Sequence, residues 1–274
     1  MQHYRAPGLS NIPPVVKNII IINVLMLLAT YVINSQFGVD LNRVLGLFYF
    51  KSEHFQPYQI ITHMFMHGGL THLFFNMFAF WMFGRVLETV WGSKRFFIYF
   101  IVTGIGAAII HTLVIHLQVS AIESDIAAFL NTPSPQGFAS LVKENFPEYY
   151  QQVYNKLLDG WFAQPDSTRY VEQARVFAND LLRLKMSVPT VGASGAVFGV
   201  LLAFGMLFPN TQLMLLFPPI PIRAKYFVII YGALELWLGV TQPGSNIAHF
   251  AHLGGMLFGF FLIKYWKGKR NTFY

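Results

Sequence analysis

Cutting a peptide bond with a serine requires a hydroxyl, a base to take its proton, and donors aimed at the oxygen that becomes charged. Three short stretches of this 274-residue chain carry such groups. Ser194 stands in Gly192-Ala193-Ser194-Gly195, His252 in Ala251-His252-Leu253-Gly254-Gly255, and His72 and Asn76 lie four residues apart. Neutral imidazole is the natural base near pH 7, so His252 is read as the base of a Ser194 nucleophile. His72 and Asn76 share one helix face at this spacing and can both donate toward one point, as an oxyanion hole requires. Each signal is weak by itself. GxSG arises often by chance, and a serine in an apolar helix more often packs or bonds to the backbone.

The elements that must position these groups are apolar. Hydrophobic residues make up 54% of the chain and charged residues 11%, against about 25% charged in soluble domains. Too few charges are present to cover a soluble surface, so lipid must replace water around most of the chain. No cysteine is present, which excludes disulfides and thiolate metal sites. The polar start, Met1 to Pro14, does not read as a cleavable signal peptide.

Six stretches have the length and apolarity of spanning helices: about 15–37, 60–86, 96–117, 191–208, 226–240 and 247–266. Pro218-Pro219-Ile220-Pro221 breaks the chain between the fourth and fifth. Residues 118–187 hold six Lys/Arg and eight Asp/Glu and are too polar to span. Tyr170, Ala174, Phe177, Leu181 and Leu184 recur there at helical spacing, so part of this stretch is read as an amphipathic helix; a loosely structured loop is the alternative. The expected fold is all-α: one polytopic membrane domain over 1–274, with 118–187 a partly helical extramembrane insertion between the third and fourth spans.

Orientation follows from charge, because Lys and Arg in short loops gather on the cytoplasmic side. Arg5 and Lys17, then Arg85, Lys94 and Arg95, then Arg223 and Lys225, then Lys264, Lys267, Lys269 and Arg270 fall on one side of a six-span chain. Both termini are then cytoplasmic, in a multi-pass protein of the cell membrane, and the insertion is outside. The net charge of +7 needs no nucleic acid to explain it. Spans two, four and six start at the outer leaflet, and Ser194 and His252 lie roughly 5–8 Å along their helices. Gly195 and Gly199, with Gly255 and Gly259, allow those helices close approach. Glu235 is read as deep in span five and far from the outer end. The expected unit is therefore a Ser194–His252 dyad with Phe198, one turn after Ser194, as the group that orients the imidazole.

Two other classes compete. His63 and His67, with His249 and His252, could ligate zinc, but no HExxH and no acid near the outer ends supports that chemistry. Histidines in spans also suit proton relays in transporters, but no internal repeat is visible. His54, His111 and His116 show no partner pattern.

Taken together, His67-Gly68-Gly69-Leu70-Thr71-His72-Leu73-Phe74-Phe75-Asn76, Gly192-Ala193-Ser194-Gly195 and Ala251-His252-Leu253-Gly254-Gly255 with Gly259 resemble the rhomboid family of intramembrane serine proteases. The family pattern is HxxxN, then GxSG, then AHxxGxxxG, in spans two, four and six, and the resemblance covers about 15–118 and 188–266. It implies Ser194 as nucleophile, His252 as general base, and His72, Asn76 and the Ser194 backbone N–H as oxyanion donors. Gly192, Gly195 and Phe198 are supporting residues, and no metal or cofactor is implied. Gly84 and Glu88 resemble family positions at the inner end of span two. The family's Trp-Arg pair before span two is Tyr58-Gln59 here, and its frequent Tyr beside the catalytic His is Phe198. Inactive relatives lack the Ser or the His, and both are present. The implied partners are single-span membrane proteins cut near the outer leaflet. Span five and the Gln242-Pro243-Gly244-Ser245 loop are the expected gate.

Overall fold

The computed structural model describes residues 12–214, 219–242 and 248–268. Arg5, Lys269, Arg270, Pro218, Ile247 and the Pro243–Ser245 part of the expected gate lie outside the described residues. The helices, in chain order, are α1 (Pro14–Phe37), α2 (Leu41–Leu45), α3 (Gln59–Thr62), α4 (Leu70–Trp91), α5 (Ser93–Asn131), α6 (Pro135–Asn145), α7 (Tyr150–Val153), α8 (Asp159–Ala163), α9 (Thr168–Met186), α10 (Ser194–Leu207), α11 (Ala224–Thr241) and α12 (His249–Gly268). A two-stranded antiparallel hairpin, β1 (Gln212–Met214) with β2 (Pro221–Arg223), joins α10 to α11. The described residues are otherwise all-α. Among them, four helices (α1, α4, α5 and α11) are long and apolar enough to cross a membrane, and α10 is a shorter apolar helix.

The chain divides into two compact units. The first contains residues 1–47, 56–112 and 189–274. At its centre is α10, whose residues from Gly195 to Leu201 and from Ala203 to Gly205 are all buried. A helix apolar on every side must be enclosed, and α4, the first half of α5, α11 and α12 enclose this one. The polarity of the unit is inverted relative to a soluble domain. On α1, Ile21, Leu25, Leu28 and Val32 point outward, whereas Asn23 and Thr30 are buried. Both buried groups bond within their own helix, Asn23 Nδ2 to the Ile19 carbonyl at 2.7 Å and Thr30 Oγ1 to the Met26 carbonyl at 2.8 Å. An apolar outer face over a hydrogen-bonded polar interior is what a lipid solvent selects.

The second unit contains residues 48–55 and 113–188. Its helices α6 to α9 and the second half of α5 share their own core, in which Phe138, Val142, Leu158, Trp161, Ala174 and Ala178 are fully enclosed. The amphipathic stripe belongs to α9, which buries Ala174, Ala178 and Leu181 but leaves Leu184 exposed. The region is therefore helical with a core and is not a loose loop.

Two elements depart from the sequence reading. The third span, expected to end near Leu117, continues as one helix to Asn131 because nothing between Leu117 and Asn131 breaks it; the first prolines come after, at Pro133 and Pro135. The second span does not begin at Ile60. A short helix and a 3-10 turn end at Phe65, and α4 starts only at Leu70, after Gly69 with φ +157°. His63 and His67 thus precede the helix that carries His72 and Asn76. Tyr58-Gln59, where the sequence departs from the family pattern, still ties the preceding loop: buried Gln59 accepts from the Gln56 N–H at 3.0 Å and donates to the Val44 carbonyl at 3.2 Å.

Glu88 anchors the start of α1. Pro14 has no N–H to satisfy, and the next two N–H groups, of Val15 and Val16, donate to the Glu88 carboxylate at 2.9 and 2.8 Å. Ser93 Oγ donates to the same carboxylate at 2.7 Å. Hydrogen bonds to a charged group contribute about 1.5–3 kcal/mol each. Glu88→Ala should therefore lower the unfolding midpoint of the detergent-solubilised protein by several degrees, and an unchanged midpoint would show that the carboxylate is not what holds α1.

Candidate active site

Ser194 is the first residue of α10, so its N–H is among those with no partner within the helix. His252 lies in the first turn of α12. The two helices touch through glycine: a methyl at Gly255 would collide with the Gly195 carbonyl, and one at Gly195 with Ala107 of α5. That approach sets Ser194 Oγ 2.9 Å from His252 Nε2, within hydrogen-bond reach. The Phe198 ring lies flat on the His252 imidazole, with centroids 4.1 Å apart and planes 4° from parallel.

The loop before Ser194 is held from two sides. Leu47 and Thr190 exchange backbone hydrogen bonds of 2.9 and 2.8 Å, and the Gly192 N–H donates to the His63 carbonyl at 2.9 Å. Thr190 Oγ1 also meets His111 Nε2 at 2.7 Å. This partner for His111 was not visible in the sequence. A small cavity lined by His63, His111, Thr190, Gly192, Ser194 and Ala251 adjoins the serine.

Gly192 has φ +130°, a region that side chains disfavour. A Cβ there would lie 3.0 Å from Nε2 and Cε1 of His72 and 3.7 Å from Ser194 Oγ. The bare α-carbon thus admits the His72 ring to the neighbourhood of the serine. His72 Nδ1 accepts from the Gly68 N–H at 3.3 Å, which leaves Nε2 to carry the proton and face this space. Asn76 is engaged differently from the reading above. Its Nδ2 donates to the His72 carbonyl one turn back, at 2.9 Å, so part of its donor capacity is used within α4. His67 is buried and packs edge-on against His72, with centroids 5.0 Å apart.

One expectation is overturned. Glu235, read as remote, touches His252: His252 Nδ1 lies 2.8 Å from Glu235 Oε2, and His249 Nδ1 lies 2.7 Å from the same oxygen. Glu235 stands six residues before the end of α11 at Thr241, about 9 Å along the axis. α11 runs opposite to α12, with Gly239 against His249 and Gly232 against Met256, and this packing brings Glu235 beside the first turn of α12. An acid in a spanning helix has to be paired, and that rule was the available signal. Among the described residues, Glu235, His249 and His252 also form the group that could hold a metal. His63 and His67 do not join His249 and His252 there.

The geometry agrees with what comparison of the sequence shows. The family model described as Rhomboid domain matches residues 54–122 and 167–267, more than half of the chain. The chain is 25% identical over 202 residues to Rhomboid protein 1, mitochondrial, of Saccharomyces cerevisiae, covering 73% of this chain and 39% of that protein. It is 25% identical over 241 residues to RHOMBOID-like protein 12, mitochondrial, of Arabidopsis thaliana, covering 88% of this chain and 55% of that protein. It thus spans from about two fifths to just over half the length of these relatives. With matched segments that hold Ser194, His252, His72 and Asn76, the chain belongs to the rhomboid family.

Proposed function

We propose that the protein is an intramembrane serine endopeptidase in which Ser194 attacks the peptide carbonyl and His252 is the general base. The observation that carries this reading is the 2.9 Å contact between Ser194 Oγ and His252 Nε2. In the reaction, Oγ bonds to the carbonyl carbon while its proton passes to Nε2. The carbonyl electron pair moves to the oxygen, which faces the Ser194 N–H, His72 Nε2 and Asn76. Collapse of this intermediate breaks the C–N bond, and Nε2 returns the proton to the leaving amine. Water, taken up through the cavity beside Ser194, then repeats the sequence on the acyl-enzyme and frees the serine.

The bilayer position of the site has its own support. A helix of 14 residues is about 21 Å long, short of the roughly 30 Å of hydrocarbon. α10 is therefore too short to reach both faces, and a start below the surface fits the non-helical 190–193 loop, whose backbone Leu47 and His63 help to satisfy. Six crossings, α1, α4, α5, α10, α11 and α12, put Lys17, Arg85, Lys94, Arg95, Arg223, Lys225, Lys264 and Lys267 on one side, with the active site opening to the other. The charged stretch 118–187 is read as extramembrane in this arrangement. The sequence reading gave the cell membrane, whereas the relatives named above are mitochondrial; the charge asymmetry orients the chain in either. The substrates are single-span membrane proteins whose helices unwind near the outer leaflet, because a nucleophile cannot reach a carbonyl inside an intact helix.

Purified protein in liposomes with a single-span substrate tests the assignment. Ser194→Ala and His252→Ala should each lose about 10⁴–10⁶ in kcat, because nucleophile and base act as a unit. Cleavage by Ser194→Ala at the wild-type rate would contradict it. The oxyanion donors should differ. His72→Ala should cost about 10²–10³ in kcat and Asn76→Ala less, since Asn76 already bonds within α4. The reverse ranking would show that Asn76 turns toward the oxyanion. Gly192→Ala places a methyl against the His72 ring and should cost roughly 10² in kcat, the cost of moving reacting groups by about 1 Å; wild-type turnover would show that the loop can shift to accept it.

A further inference from the structure

We infer that Glu235 is a positioning residue for His252: it holds the imidazole in the tautomer that accepts the serine proton and stays ionised opposite the imidazolium that forms. The inference rests on the serine protease reading above and extends a two-residue unit to three. Glu235 is 4% exposed, and an ionised carboxylate is costly in such a place unless donors face it. Two do, the Nδ1 atoms of His249 and His252, both on Oε2. An ionised carboxylate only accepts, so each imidazole must carry its proton on Nδ1. His252 Nε2 is then the lone-pair nitrogen, and it is the one 2.9 Å from Ser194 Oγ. The acid thus decides which nitrogen meets the serine. Phe198 fixes the plane of the ring by stacking on one face, but a stacked ring can still rotate in its plane or change tautomer; Glu235 prevents both.

His249 serves as the second donor. Its Nε2 is buried and has no hydrogen-bond partner among the described residues, so its ring is held through Nδ1 on Glu235. Two donors converging on one oxygen hold the carboxylate in place while His252 changes charge. A metal ion is the rival explanation for this cluster. Ligands about 2.0–2.1 Å from a tetrahedral zinc lie about 3.3 Å from one another. The 2.7 and 2.8 Å spacings here are those of a proton on each line between the atoms.

The test replaces charge while keeping shape. In liposomes, Glu235→Gln should lower kcat by about 10²–10⁴, since neutralising the buried acid of a serine protease triad costs about 10⁴ in kcat. KM should stay within about twofold, and the rate of Ser194 labelling by a fluorophosphonate should fall in parallel with kcat. Glu235→Asp, which keeps the charge on a shorter arm, should recover part of the loss. A merely structural role would move the unfolding midpoint but leave the labelling rate of the folded fraction at the wild-type value. That result, or wild-type kcat in Glu235→Gln, overturns the inference. If Glu235→Gln does not fold, ¹⁵N-histidine resonance of the wild-type protein decides: His249 and His252 should carry protons on Nδ1, and a proton on Nε2 of His252 overturns the inference. A Ser194→Ala control separates the two claims. Cleavage by that variant would sink the serine reading itself, whereas a silent Ser194→Ala beside a fully active Glu235→Gln would remove only the role of Glu235.

Discussion

Gly255 of α12 packs against the carbonyl of Gly195 of α10, and no side chain larger than hydrogen fits between them. Water supplies no hydrophobic drive between helices in lipid, so close packing of backbones must hold them together. This contact sets the distance between Ser194 and His252, one residue before Gly195 and three before Gly255. The first unit is built to maintain it. Phe80, Phe96 and Phe100 are completely buried around the central helix, as is Val200 within it. Tyr99 of α5 donates to the Gly199 carbonyl at 2.8 Å, one turn below the contact. Glu88 fixes the start of α1 against the end of α4.

The same solvent explains why the polar groups form a continuous set. A lipid interior offers no water to an unpaired donor, so a polar side chain kept there is stabilised by finding its partner in the protein. From the loop inward, Thr190 meets His111 and Leu47, Gly192 meets His63, Ser194 meets His252, and His252 meets Glu235. Glu235 in turn is shared with His249. Each link lowers the cost of burying the next. A hydroxyl and an imidazole held in fixed relation without bulk water are also what a preorganised nucleophile needs.

Much of this was legible in the residues. Ser194, His252, His72 and Phe198 were readable as a set because each stands within the first five residues of its helix. The glycines of α10 and α12 announced a close approach because small residues four apart have that use in lipid. The start of α4 was less legible: Ile60–Met66 is mostly apolar, broken only by Thr62 and His63, and only Gly68-Gly69 hinted that the helix begins after them. The length of α5 was missed because its second half is polar enough to look like a loop, although it carries no helix breaker. Glu235 was misplaced for a geometric reason. It lies six residues before the C-terminal end of a helix that packs antiparallel to α12, but that α11 turns this face toward α12 is a matter of packing that no local pattern encodes. Asn76's bond to the His72 carbonyl is likewise a choice of rotamer, invisible at the level of spacing.

The account depends on Ser194 Oγ being a nucleophile beside donors that receive an oxyanion. A structure of the protein after reaction with a fluorophosphonate tests this most directly. The account predicts a covalent bond from phosphorus to Ser194 Oγ, with the phosphoryl oxygen within hydrogen-bond distance of the Ser194 N–H and His72 Nε2. Phosphorus on another residue, or on Ser194 with its oxygen turned away from His72, would contradict it.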